Sequence, residues 1–126
     1  MLKTENIPEA VSSRVIVTGI HLPLTAALRQ AATEKAVRLI ERDRRVARVR
    51  IDLEVDHTRA AQEQFIAKAR LEVSGPDLIA RVTSDNAYKS LDLLADKLDE
   101  LLRRRRQKRV NTRNDERRQA TGAIEA

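Results

Sequence analysis

The sequence predicts an α+β domain of order β-α-β-β-β-α, a four-stranded sheet with two helices packed on one face. Three observations carry this. Two stretches, 25–42 and 86–109, repeat apolar residues at the spacing of one helical face. Four others, 14–20, 46–56, 64–73 and 78–83, are β-branched or alternate apolar with polar residues, as half-buried strands do. Each strand has a single apolar side, so both helices must cover the same face of the sheet.

Taken in order, residues 1–13 mix charges around Pro8 without a sustained period and read as a flexible N-terminal extension. The first strand, Arg14 to Ile20, turns Val15 and Val17 toward the core and closes at Gly19, and Pro23 stops it from continuing. Thr25 is a good N-cap for a helix whose face is Leu28, Ala31, Ala32, Ala36, Leu39 and Ile40. Small alanines let that helix lie close to a sheet. The clearest pattern follows: Val49, Ile51, Leu53 and Val55 alternate with Arg48, Arg50, Asp52, Glu54 and Asp56. A polar, mobile loop is expected over 57–63. The third strand then turns Phe65, Ala67, Ala69, Leu71 and Val73 inward. Ser74-Gly75-Pro76-Asp77 is a turn, and the fourth strand turns Leu78, Ala80 and Val82 inward. Ser84 or Asp85 can cap the second helix, which carries Leu91, Leu94, Ala95, Leu98, Leu101 and Leu102. The domain is expected to span 14–109, with 110–126 a frayed helix end and flexible tail.

Composition narrows the function. The chain has 126 residues, 35% charged and 41% hydrophobic, the size of one domain with one core. It has no cysteine, which removes disulfides, thiol catalysis and cysteine-based zinc sites. Phe65 and Tyr88 are its only aromatic residues, too few for a platform that stacks single-stranded bases. No run has the length of a signal peptide core or a membrane span, so a soluble cytoplasmic protein is expected.

The net charge of +6 is local. Residues 1–102 hold 16 basic and 16 acidic side chains, whereas 103–118 hold nine basic against two acidic. One or two cations at a helix C-terminus suit the macrodipole; this cluster is in excess of that and fits a polyanion or a solubilising end.

An enzyme is not expected, and neither is a cofactor or metal. His21 sits in a connector and His57 in a loop, without a metal or triad motif around them. Asp52, Glu54 and Asp56 share a strand face, where neighbouring Lys68 and Arg70 are natural ion-pair partners. The glycines are isolated and form no phosphate-cradling loop.

The basic helix end therefore holds most of the functional content. Arg103, Arg104, Arg105 and Arg106 stand about 100° apart around a helix and reach phosphates on two sides of a cleft. Arg29, Lys35 and Arg38 on the first helix, with Lys89 and Lys97 on the second, extend such a track, although Lys89 and Lys97 are equally ordinary surface charges. Without ring platforms, recognition by RNA shape and backbone is expected rather than by sequence.

The run Val15-Ile-Val-Thr-Gly19, then Leu24-Thr-Ala-Ala-Leu-Arg29, Lys35 and Arg38-Leu39, resembles the start of the ribosome hibernation-promoting factor and ribosome-associated inhibitor family. Asn86-Ala-Tyr-Lys-Ser-Leu-Asp92, Ala95-Asp-Lys-Leu98 and the basic end resemble that family's second-helix signature. The resemblance implies a domain similar to double-stranded-RNA-binding folds. It also implies a monomer that binds the small ribosomal subunit and its ribosomal RNA, competes with tRNA and messenger RNA, and blocks translation by occlusion in stress or stationary phase. By position it implies RNA contacts at Arg29, Lys35, Arg38, Arg103, Arg104, Arg105, Arg106, Lys108 and Arg109, and a structural role for Tyr88 and Asp92 in orienting the second helix. The family commonly has Asp at the position of Asn86, a lost charge for which Asp85 can compensate. Too few residues follow Arg109 for another domain, so a short-form member is expected. Two other readings share the layout and charge: a general structured-RNA-binding module, and a protein-interaction regulator without RNA contact.

Overall fold

The structure, a computed structural model, describes residues 9–125, with side chains described through Lys108. Its elements are α1 (Glu9–Ser12), β1 (Val15–Ile20), α2 (Ala26–Arg42), β2 (Arg48–Val55), β3 (Phe65–Glu72), β4 (Leu78–Ser84) and α3 (Ala87–Glu125), with one 3-10 turn at Ala61–Glu63. The strands lie in the order β1-β2-β3-β4. β1 pairs parallel with β2, and β2, β3 and β4 form an antiparallel meander. A parallel neighbour requires a crossover, which α2 supplies.

The alternation in β2 dictates this arrangement. Val49, Ile51, Leu53 and Val55 are buried, and in register with them across β3 stand Leu71, Ala69, Ala67 and Phe65. The matching face of β4 gives Leu78, Ala80 and Val82. α2 adds Leu28, Ala32, Ala36, Leu39 and Ile40, and α3 adds Leu91, Leu94, Leu98 and Leu102, all buried in one cluster. Burying each such large side chain contributes about 1.5–3 kcal/mol, so the leucine stripe of α3 is a main source of cohesion. Ala32 and Ala36 are fully buried, which is what brings α2 down onto the sheet.

Among the described residues no helix covers the other sheet face, which carries Arg50, Lys68, Arg70, Ile79 and Arg81 in register. The ion pairs expected there differ. Asp52 stands opposite Lys68 in register, yet neither makes an ion pair among the described residues. Arg70 turns instead to Asp77 at 2.7 Å, because the tight β3–β4 turn returns that carboxylate beside it.

Three segments depart from the sequence reading. Residues 9–13, expected within a flexible extension, form a helical turn: the Ser12 and Ser13 hydroxyls each donate 3.2 Å bonds to carbonyls of Glu9 and Ala10, and Val11 packs on the core. Arg14 then donates to the carbonyls of Ala47 and Val46, at 2.9 and 2.8 Å, tying this end to the entry of β2. Residues 1–8 of that extension lie outside the described residues.

The loop expected over 57–63 is organised by Asp56, whose carboxylate accepts from the Thr58 amide and hydroxyl at 3.0 and 2.5 Å. These bonds, the hydroxyl first, hold its pKa below the usual carboxylate range. Lastly, α3 has no break at 109: its backbone is helical to Glu125, where the sequence suggested a frayed end from Val110.

Candidate nucleic-acid interface

Two local devices set the direction of α3. Asn86, and not Ser84 or Asp85, is its cap: the Asn86 side-chain oxygen accepts from the amides of Tyr88 and Lys89 at 2.8 and 3.3 Å. With the helix beginning at Ala87, only Asn86 stands at the position that reaches those amides. The Ser84 hydroxyl turns inward, donating to the Asn86 carbonyl at 2.7 Å and meeting the Ser90 hydroxyl at 2.6 Å. Ser90 donates in turn to the Phe65 carbonyl at 2.9 Å, which pins the first turn of α3 to β3.

At the other end, Asp43 terminates α2 and is buried. Its carboxylate accepts from the Arg45 amide at 3.0 Å, from Arg45 Nε and Nη2 at 3.0 and 2.6 Å, and from Arg106 at 3.3 Å. Arg45 also donates to the Leu102 carbonyl at 3.3 Å. The Arg45 hydrogen bonds hold the Asp43 carboxyl far below the usual carboxylate range despite its burial. The same contact raises the Arg45 guanidinium above its ordinary value. A carboxylate at a helix C-terminus is otherwise unfavourable, and these two arginines offset that cost.

Between these anchors α2 and α3 run side by side in the same direction. α3 presents Asp92, Asp96, Asp99, Arg103 and Arg106 at alternating spacings of four and three, one stripe of the helix. α2 presents Lys35, Arg38 and Arg42 against it. Lys35 meets Asp92 at 2.7 Å, and Arg42 meets Asp99 at 3.0 Å. A cavity of about 110 Å³ lies between Arg38 and Asp96. It adjoins a larger cleft of about 390 Å³ lined by Arg42, Asp43, Asp99, Leu102, Arg103 and Arg106. The stripe thus changes sign between Asp99 and Arg103, where α2 ends and the cleft opens.

The four consecutive arginines go to four different surroundings. Arg103 lines the cleft without an ion pair among the described residues. Arg104 is paired with Glu100 one turn back. Arg105 donates to the carbonyls of Ser74 and Pro76, bracing the β3–β4 turn. Arg106 lines the cleft and reaches Asp43.

Among the other residues singled out, Arg29 and Arg38 are exposed on α2, and Lys35 is half-buried beside Asp92. Lys89, exposed on α3, is 3.7 Å from Asp85. Lys97 and Lys108 are exposed farther along α3, and the Arg109 side chain lies outside the described residues.

Asp92 faces α2, 2.7 Å from Lys35, with its side chain 64% exposed. Tyr88 does not pack as its expected structural role required: it is 48% exposed, because the first turn of α3 directs it away from the leucine face. Arg42 carries no sequence signal beyond a charge on the wet side of α2, and its place in the groove follows only from α3 lying beside it.

A helix-on-sheet domain with an uncovered sheet face and a charged groove between parallel helices is the class defined here. Residues 15–110 match the model of the family described as "Sigma 54 modulation protein / S30EA ribosomal protein", and the chain belongs to that family. It is 32% identical over 104 residues to a ribosome hibernation promoting factor of Azotobacter vinelandii, covering 82% of this chain and 92% of that one. A protein of the same name from Pseudomonas putida is 27% identical over 95 residues, 75% of this chain and 88% of its own. Among solved structures, a ribosomal subunit interface protein of Coxiella burnetii has the same fold, with a TM-score of 0.62 and 23% identity over 74% of this chain and 97% of that one. The N-terminal domain of Thermus thermophilus Protein Y is similar at a TM-score of 0.59 and 19% identity, covering 70% and 92%. Among the described residues, no helix is long and apolar enough to cross a membrane, and no cluster of metal-ligating side chains occurs.

Proposed function

We propose that this chain is a cytoplasmic ribosome hibernation factor: a monomer that binds the small ribosomal subunit where tRNA and messenger RNA pass, and inhibits translation by occupying that space. No chemistry is involved, and the setting is stress or stationary phase. The observation that carries the reading is the family match across nearly the whole folded domain, 15–110, with relatives named for ribosome hibernation.

The surface supports it. The cleft lined by Arg42, Arg103 and Arg106 presents planar guanidinium groups that suit phosphate oxygens. Arg29 and Arg38 on α2, and Lys97, Arg104 and Lys108 on α3, add exposed positive charge on the same two helices. Arg105 takes a supporting role at the β3–β4 turn, and Lys35 and Lys89 reach RNA only by exchanging a carboxylate partner. With so few rings, contacts run to the RNA backbone and its shape.

The test is sedimentation of the full chain with vacant small subunits, paired with cell-free translation at rising chain concentration. Co-migration together with falling synthesis is expected. A chain that stays at the top of the gradient at low salt, or that co-migrates without inhibiting synthesis, overturns the reading.

A further inference from the structure

The groove between α2 and α3 holds more carboxylate than a surface built only to attract phosphate. Asp92, Asp96 and Asp99 stand along the α3 side opposite Lys35, Arg38 and Arg42, in three successive rungs. The outer rungs are closed ion pairs at 2.7 and 3.0 Å. The middle rung is open: Arg38 and Asp96 line one cavity, yet neither side chain makes an ion pair or hydrogen bond among the described residues. Folding does not explain the row. The side chains of the closed pairs are 31% and 64%, and 64% and 35%, exposed, and pairs so wet contribute little to stability.

For phosphate binding the aspartates are costly, because each offsets a cation that would otherwise release a counterion from the nucleic acid. That cost falls unevenly. A regular duplex lays phosphates along the whole groove and meets the aspartates. A folded RNA surface that offers phosphates only at the cleft and at the α2 cations avoids them. Discrimination of this kind comes from repulsion of the wrong partner as much as from attraction to the right one.

We infer that Asp92, Asp96 and Asp99 are specificity-determining residues, which hold down binding to generic duplex RNA and leave the basic end of α3 to select structured ribosomal RNA. The inference rests on the reading that this chain binds the small subunit, and it adds which residues set the selectivity of that site.

Asp96→Asn is the decisive variant, because Asp96 makes no ion pair and its loss leaves the Lys35–Asp92 and Arg42–Asp99 contacts in place. The triple variant Asp92→Asn/Asp96→Asn/Asp99→Asn extends it. Asp52→Asn, on the uncovered sheet face, changes net charge by as much as Asp96→Asn and serves as its control. Each full chain is titrated onto a mixed-sequence RNA duplex of about 20 base pairs, long enough to fill the groove, and onto vacant small subunits, over a range of salt.

Asp96→Asn should bind the duplex about threefold more tightly, and the triple variant about tenfold, with the slope of log affinity against log salt steepening by up to about 0.9 per phosphate gained. Small-subunit affinity should change less, so the selectivity ratio falls, while Asp52→Asn keeps the parent ratio. Unchanged or weaker duplex binding by Asp96→Asn overturns the inference, as does an equal gain in Asp52→Asn. A parent chain that does not bind small subunits instead overturns the functional reading and removes the basis for this one.

Discussion

Replacing Asp43 with asparagine removes the charge on which the end of α2 and the basic turn of α3 converge. The carboxylate accepts four hydrogen bonds, three from Arg45 and one from Arg106, and is 7% exposed. Asparagine keeps one acceptor oxygen and introduces an NH₂ that faces guanidinium donors. Breaking a fully buried pair costs about 3–5 kcal/mol, and hydrogen bonds to charged groups contribute about 1.5–3 kcal/mol. The Arg45 and Arg106 side chains are 22% and 57% exposed, so water recovers part of the loss. An expected cost of about 2 kcal/mol lowers the unfolding midpoint by roughly 8–16 °C for a domain of this size.

The pH dependence has a definite sign. Asp43 has a folded pKa far below its unfolded value, so its contribution is complete above the unfolded pKa of about 4 and is lost progressively as pH falls below it. Denaturant titrations of parent and Asp43→Asn at pH 7 and near pH 2.5 should therefore show a gap that narrows in acid. Equal midpoints at pH 7, or a gap of constant size at both pH values, would refute the assignment of this carboxylate as the α2–α3 anchor.

Three further outcomes are expected. Gly19→Ala would set a Cβ 2.6 Å from the Leu22 carbonyl oxygen, a backbone atom that cannot move aside cheaply, and should cost about 1–3 kcal/mol in chemical denaturation. Leu98→Ala, at a side chain only 1% exposed in the centre of the α3 stripe, should cost about 2–5 kcal/mol in the same assay. Arg103→Ala and Arg105→Ala should separate binding from support. The first flattens the salt slope of small-subunit binding by about 0.9 and leaves the midpoint unchanged, while the second lowers stability by about 1 kcal/mol and leaves the slope alone.

The fold was legible wherever one face of an element is buried. The alternation of β2 and the leucine spacing of α3 depend on position within a single element, and Thr25 caps α2 as its sequence suggests, accepting from the Leu28 amide at 3.1 Å. What the sequence did not reveal depends on distant residues coming together. Asp43 and Arg106 are 63 positions apart and meet only after α3 crosses the sheet. The partners of Arg105 lie in the β3–β4 turn, so a run that reads as four equivalent arginines becomes four different side chains. The acidic stripe was likewise invisible, since Asp92, Asp96 and Asp99 resemble ordinary helix-surface charges until α2 is placed beside them. In sequence Asn86 reads as a missing charge, and its value as a cap follows from a helix that starts at Ala87, one or two residues later than a cap at Ser84 or Asp85 implies.

The most direct measurement is a displacement titration of the full chain, labelled and bound to vacant small subunits, with tRNA and a short messenger RNA added together. Occupation of their channel predicts that the label is released in proportion to the tRNA and messenger RNA bound, and that the chain in excess reverses the exchange. Saturable binding that persists unchanged when tRNA and messenger RNA fill the subunit would contradict occlusion and put the chain's site elsewhere on the ribosome.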